Sequence, residues 1–488
     1  MNGESFVSND TGESCLERWQ QQEALAEELI PLLGRLYRDG GVVPLMYGRS
    51  LVNQSAIGIL KNHRYARRIV GGEPDVGDTL TLVRALLHLS PGPSHVDIGR
   101  LVTEYVGAAE RSDPEAFLRR ALAPIAGTQS GDGEAGPRDV VLYGFGRIGR
   151  LLARLLIERT GSGRGLRLRA VVVRGDADLE KRASLLRRDS IHGPFAGTLA
   201  LDRENDVLIA NGNRIQFIRA ASPDSIDYTV RGIERAIVVD NTGQWRDREG
   251  LALHLKSRGV ERVLLTAPGK GDIKNIVYGI NQHEASDDER ILSAASCTTN
   301  AIVPVLKALS ERFGIERGHL ETVHAYTNDQ NLTDNYHRAE RRGRSAPLNM
   351  VLTETGAAKA VARALPELAG RLTGNAIRVP IPNVSMAILN LTLGCACERD
   401  ALNDYLRGMA VDSKLRRQID YVDSPEVVSS DFVGNRHPGI VDGKATIVDG
   451  CHAVLYVWYD NEFGYSAQVV RLIQHMAHTR LPSLPAPR

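Results

Sequence analysis

At 488 residues the chain exceeds what one ordinary core supports, so two or three domains are expected. Its 42% hydrophobic and 24% charged content is that of a globular protein, and no apolar run reaches the length of a membrane span. The net charge of +1 leaves no global drive toward nucleic acid or an anionic membrane, and five scattered cysteines make no disulfide framework. No signal peptide is visible at Met1–Ser5, and the cysteine usage leads to the expectation of a reducing, cytoplasmic setting.

Residues 1–14 are polar and expected to fray. Leu16, Trp19, Leu25, Leu29, Leu32, Leu33 and Leu36 then recur at helical spacing, and Asp39-Gly40-Gly41 ends the run. A second helix is expected over Leu51–Ile69 and a third from Asp78, broken by Pro91-Gly92-Pro93. Asp113-Pro114 reads as an N-cap with proline at the first helical position. Residues 15–126 therefore read as a mostly helical module. Its basic run, Lys61 to Arg68, is a phosphate site or a solvated helix face, the second being the commoner meaning. Gly127 to Pro137 has the composition of a flexible linker.

Val140 to Tyr143 reads as a buried strand. Gly144-Phe145-Gly146-Arg147-Ile148-Gly149 follows at once and opens an apolar-periodic helix. Between strand and helix this G-x-G-x-x-G is a dinucleotide-binding signal: glycines admit a pyrophosphate against the helix N-terminus. A tight turn without ligand is the competing reading. The next strand, Leu166–Val173, ends in Arg174-Gly175-Asp176. An acid there would hold the ribose of NAD; Arg174 permits a ribose phosphate, hence NADP, unless Asp176 takes the place. The strand-like runs Ala236–Asp240 and Val263–Thr266 end in Thr242-Gly243 and Thr266, where hydroxyls can touch a cofactor or cap turns.

Cys297 follows strand-like Ile291-Leu292 and precedes a helical pattern from Ala301. A helix N-terminus lowers a thiol pKa, which makes a nucleophile; a buried structural cysteine is the alternative. Cys395 and Cys397 read as two core residues on one face of a strand, or as a redox pair.

Several motifs in order resemble phosphorylating glyceraldehyde-3-phosphate dehydrogenases. They are Gly144 to Arg150, Ala295-Ser296-Cys297-Thr298-Thr299-Asn300, Thr322 to Gln330, Thr355 to Lys359, Leu372 to Pro380 and Trp458 to Ser466. The resemblance spans 138 to about 475 and leaves 1–126 outside. It implies an α/β protein: a Rossmann-type dinucleotide-binding domain over 138–296, completed by a helix in 462–488, and an α+β catalytic domain over 297–461. The mostly helical module and linker, 1–137, precede them.

By resemblance Cys297 is the nucleophile and His324 its base. Thr327 and Arg378 hold the substrate's phosphate, while Ser296, Thr298, Thr355 and Gly356 hold inorganic phosphate. Arg147, Ile148, Thr266 and Asn461 contact NAD or NADP. No metal is expected. The loop Glu340 to Arg344 resembles one that reaches a neighbouring subunit, implying a homotetramer, with a solvated basic loop as the alternative. Ala301 replaces a frequent second cysteine, and Gly175 the usual acid. The intact Thr355–Lys359 motif argues against the erythrose-4-phosphate relative. A regulatory or scaffold protein acting through residues 1–126 is the reading from another class.

Overall fold

The computed structural model of the chain describes residues 12–125, 136–161, 163, 165–175 and 178–486. Asp176, most of the expected linker and the expected frayed start at 1–11 lie outside these residues. The chain forms two compact units, one from the residues up to Gly136 together with Leu481 onward, the other Pro137–Arg480.

The first unit is built from helices Gly12–Arg38, Ala56–Val70, Val76–Leu89, Ile98–Val106 and Pro114–Ala121. Leu29, Leu33 and Leu36 of the expected first helix are buried, as its periodicity requires. The next two helices start at their caps. Ser55 Oγ accepts from the Gly58 N–H and Asp75 from the Asp78 N–H, so the second begins five residues later than expected. Lys61, Arg64 and Arg67 point to solvent while Asn62, His63 and Ala66 are buried, which makes the basic run a solvated helix face.

The helical reading missed a small sheet. Strands Val42–Met46 and Ser94–Asp97 pair in parallel, and Ser483–Leu484 from the far end of the chain pairs in parallel with the latter. These strands are two to five residues long and the run Val42–Met46 is apolar throughout, so the sequence carries no polar–apolar alternation to separate it from helix. Correspondingly, the helix expected within 462–488 runs Phe463–Met476, and the residues beyond Arg480 join the first unit.

In the second unit, strand Arg138–Tyr143 lies in the middle of an eight-stranded sheet. Leu166–Val173 and Asn213–Arg219 extend it in one direction; Ala236–Asp240, Val260–Leu265 and Ile291–Ser293 extend it in the other. These six strands run parallel, and the chain switches direction at Arg138–Tyr143, so a crevice opens at the carboxyl ends there. A second, mixed sheet carries Ile315–Ala325 between Leu372–Val379 and Ser385–Leu393. The helix Phe463–Met476 packs in the core of the first sheet through Val469, Val470 and Ile473. Cys297 packs against the cores of both sheets.

Leu484 is buried in the core of the first unit. Leu484→Ala should therefore destabilise that unit by about 2–4 kcal/mol. Urea unfolding followed by a probe in residues 12–125 checks this; an unchanged midpoint would show that the C-terminal strand is not part of that core.

Candidate active site

The turn before Cys297 is fixed by local bonds. Ser296 Oγ accepts from the Thr299 N–H at 3.0 Å, and Asn300 Nδ2 donates to the carbonyls of Ala294 and Ser296, each at 2.9 Å. Ala295 sits at φ +56°, a left-handed conformation that costs an L-residue about 1 kcal/mol or more. The result places Cys297 at the first position of the helix Cys297–Phe313. The expected fall in its thiol pKa does not follow. Burial pushes it up, and the Arg378 charge and the Thr298 N–H only partly offset that.

His324 is the last residue but one of the strand Ile315–Ala325, and it is buried. Its Nε2 lies 3.6 Å from Cys297 Sγ. Its Nδ1 lies 2.7 Å from the Ala325 carbonyl and 2.7 Å from Arg378 Nη1, which also donates to that carbonyl at 3.0 Å. Burial first, and the Arg378 charge second, push the imidazole down to about 3. Burial thus disfavours the charged form of each member of the pair.

Neighbours hold this pair in place. The Tyr459 hydroxyl bridges Thr298 Oγ1 at 3.0 Å and Thr322 Oγ1 at 2.6 Å, with its ring edge against His324. Ser385 Oγ accepts from the Ala325 N–H at 3.1 Å and donates to Asn461 Oδ1 at 3.0 Å. Val384 beside it is held at φ +63°, a strained value for a β-branched residue. Cys297, Thr298, His324, Arg378 and Asn461 therefore share one network.

Thr327, Thr355 and Gly356 make no bond to that network among the described residues. Thr327 lies two residues past the strand end. Gly356 caps the helix Ala357–Ala364, whose preceding strand pairs Val351 with Arg378. Arg378 Nε is buried without a partner.

The crevice of the parallel sheet is a cleft of about 390 Å³. Gly144, Gly146, Arg174 and Thr242 line it, with Arg150, Arg182 and Asn241. Gly144 has φ +98°, and a Cβ at Gly149 would lie 2.3 Å from the Gly144 carbonyl, so only glycines permit this strand-to-helix turn. The bare helix N-terminus beyond it fits a pyrophosphate. Ile148, Gly149, Gly243, Thr266 and Asn461 lie outside the lining of this cleft, as does Arg147. Thr266 Oγ1 donates to the Asp240 carbonyl and to Asn241 Oδ1, each at 3.0 Å, and so braces the wall.

Residues 138–248 match the NAD binding domain of glyceraldehyde 3-phosphate dehydrogenase, and 296–461 match its C-terminal domain. A glyceraldehyde-3-phosphate dehydrogenase-like protein of Pseudomonas aeruginosa is 59% identical over 461 residues, covering 94% of this chain and all of its own. The chain belongs to the glyceraldehyde-3-phosphate dehydrogenase family. The glyceraldehyde-3-phosphate dehydrogenase of Zymomonas mobilis is 38% identical over 70% of this chain and 98% of its own, and glyceraldehyde-3-phosphate dehydrogenase 2 of Bacillus subtilis 38% over 69% and 96%. The Pseudomonas match cannot reach 94% without most of residues 1–136, so the first unit is shared there. The protein is an NAD(P)-dependent oxidoreductase of this family, acting on glyceraldehyde 3-phosphate, with a Rossmann nucleotide-binding domain.

Sequence reading missed the charged residues that steady this dehydrogenase's cleft. The Arg147 side chain is engaged outside the lining of the cleft. Its guanidinium is bound by Asp189 and by both oxygens of Glu462, the residue after Asn461. His192 Nε2 lies 3.1 Å from Glu462. The helix that opens the cleft and the loop that carries Asn461 are thereby tied together across 315 residues of sequence, a separation that leaves no local signal. Cys395 and Cys397 lie in the bend after Ser385–Leu393, not on a strand, and Cys395 is exposed. Among the described residues no helix is long and apolar enough to cross a membrane, and no group of three His, Cys, Asp or Glu side chains could hold a metal ion.

Burial alone would raise the Asp189 carboxyl. The N–H groups of His192 and Ile191 and the Arg147 guanidinium outweigh burial and bring it down to about 2. A depressed carboxylate adds stability that is complete above its ordinary value, near 4, and lost as pH falls toward 2. Asp189→Asn should cost about 2 kcal/mol at neutral pH and flatten the loss of stability in that acid window. Denaturant titrations at several pH values test this; parallel wild-type and variant curves would count against it.

Proposed function

We propose that the chain oxidises and phosphorylates glyceraldehyde 3-phosphate to 1,3-bisphosphoglycerate, reversibly, through a covalent Cys297 intermediate. The 3.6 Å approach of Cys297 Sγ to His324 Nε2, at the meeting of two cores, carries this reading. Cys297 attacks the aldehyde carbon, and His324 takes the thiol proton and passes it to the former carbonyl oxygen, giving a thiohemiacetal and a free base. A bound nicotinamide supplies the acceptor for the hydride. His324 draws the hydroxyl proton as the carbon becomes a thioester. Inorganic phosphate displaces the sulfur, which leaves as thiolate, and the acyl phosphate departs. Asn461, anchored by Ser385, orients the nicotinamide amide.

Arg378 and Thr327 bind the substrate's phosphate. The unpartnered Nε of Arg378 supports this, because a buried donor without an acceptor is costly. Ser296, Thr298, Thr355 and Gly356 receive the attacking phosphate, with the helix N-terminus at Ala357 adding N–H donors. The loop around Glu340–Arg344 meets other subunits of a homotetramer. Tyr336 and Leu348 in that segment are 88% and 81% exposed in the single chain, a poor place for large apolar side chains unless covered. Five free cysteines fit a reducing, cytoplasmic setting.

For the cofactor we favour NADP over NAD. Arg174 and Arg182 both line the cleft, which has no acidic lining residue among the described residues, and there neither guanidinium forms a hydrogen bond or ion pair. Two uncommitted guanidiniums suit a ribose 2′-phosphate.

Cys297→Ala should abolish phosphate-dependent reduction with glyceraldehyde 3-phosphate while leaving nucleotide binding intact. Turnover that survives the substitution, or needs no phosphate, would refute the covalent route. Arg182→Ala should weaken NADP about tenfold and leave NAD within about twofold in titration calorimetry. Equal losses for both nucleotides would remove the preference for NADP.

A further inference from the structure

Cys395, Cys397 and Cys451 meet at one end of the second sheet. The first two follow the strand Ser385–Leu393, and Cys451 is the second residue of the turn that joins Ile447–Asp449 to His452–Tyr459. Backbone bonds hold these segments together. The Leu393 N–H donates to the Cys451 carbonyl at 2.7 Å, and the Cys397 N–H donates to the Gly450 carbonyl at 3.1 Å. Two backbones bonded in this way run about 5 Å apart. A disulfide spans Cα atoms about 4.4–6.8 Å apart, so Cys397 and Cys451 are spaced for one. Both are half-buried, whereas Cys395 is exposed, with its Sγ 3.6 Å from the Phe313 carbonyl. Burial raises the Cys397 thiol, and the negative charges that Cys395 and Cys451 carry when ionised raise it further. Such charges act over about 8 Å in salt solution, so the three sulfurs are near neighbours. No group of three His, Cys, Asp or Glu side chains among the described residues could hold a metal ion, which leaves covalent thiol chemistry for this cluster.

We infer that the three thiols form a redox staple: an oxidant of the peroxide class, entering at Cys395, closes a reversible disulfide between Cys397 and Cys451. The Cys395 thiolate attacks one oxygen of hydrogen peroxide. The O–O bond breaks, hydroxide leaves, and the sulfur becomes a sulfenic acid. The Cys397 sulfur attacks it, and water leaves as the first S–S bond forms. The Cys451 sulfur then attacks Cys397, and Cys395 leaves as a thiol. Two thiols and one peroxide thus become one disulfide and two waters. The exchange runs toward Cys451 because a bridge between residues two apart closes a tight ring, and a strained disulfide is the more easily broken. A small-molecule thiol restores the reduced state.

The bridge ties the chain entering the helix Arg399–Asp412 to the turn at Gly450-Cys451, and it closes a loop of about 55 residues. It forms at the far end of the strand Ser385–Leu393 from Ser385, which bonds Asn461, roughly 27 Å away. Oxidation there stiffens the second sheet without touching Cys297. Transient disulfides of this kind are the form that redox sensing takes in a reducing compartment.

The test is mild hydrogen peroxide treatment of the full chain, blocking of free thiols with N-ethylmaleimide, and peptide mass mapping without reduction. The expected product links Cys397 to Cys451, leaves Cys395 blocked as a free thiol, and disappears with dithiothreitol. Cys395→Ser should slow its formation several-fold. In a Cys297→Ala background, which removes oxidation of that cysteine from the readout, the oxidised protein should melt several degrees above the reduced protein. Adding Cys451→Ser should abolish that difference. The comparison of oxidised with reduced protein stands even if the Cys451 variant does not fold.

No bridge at Cys397, a bridge that stays between Cys395 and Cys397, or one that joins two chains overturns the proposal. A Cys397–Cys451 bridge that leaves the melting temperature unchanged overturns its role as a staple.

Discussion

The site depends on where one helix begins. Cys297–Phe313 starts on a strained turn at Ala295 and packs against the cores of both sheets. A residue shared by two cores cannot shift without disturbing both, since interiors are close-packed. That fixes Cys297 Sγ relative to the crevice of the parallel sheet and to the strand that presents His324. The cost of this placement is electrostatic. Burial disfavours a charged thiolate and a charged imidazole alike, and the Arg378 charge beside the pair offsets this for the thiol while adding to it for the imidazole.

A second constraint steadies the cofactor side. Arg147 at the start of its helix is held by Asp189 and Glu462, and His192 leans on Glu462 as well. A buried charge set is stable only when each member is paired, and here the pairs come from distant segments. The loop bearing Asn461 cannot swing away from the glycine-rich turn without breaking them. Ser385 holds the other side of Asn461, so the residue is fixed from both of the sheets that meet at the site.

The first unit follows a different logic. Its helices bury a leucine stripe, and its small sheet is completed by a strand from the opposite end of the chain. The segment leaving the helix Phe463–Met476 therefore ends in another unit's core.

Sequence by itself determined the family and the class of fold. The glycine spacing at 144–149, the Ser-Cys-Thr triplet at 296–298 and the helical leucine pattern before Arg38 are local signals, because turn geometry, capping and helix period act over a few residues. Tertiary structure alone decided which partners those residues meet. It turned Arg147 away from the cleft onto Asp189 and Glu462 and brought Arg182 into the cleft beside Arg174. It raised the Cys297 thiol where the helix N-terminus alone would lower it, and it set Arg378 against His324. It also recruited Ser483–Leu484 to a sheet almost four hundred residues away in sequence. The reason is physical: burial and ion pairing depend on neighbours in space, and a linear pattern holds no record of residues brought together only when two cores close around one helix.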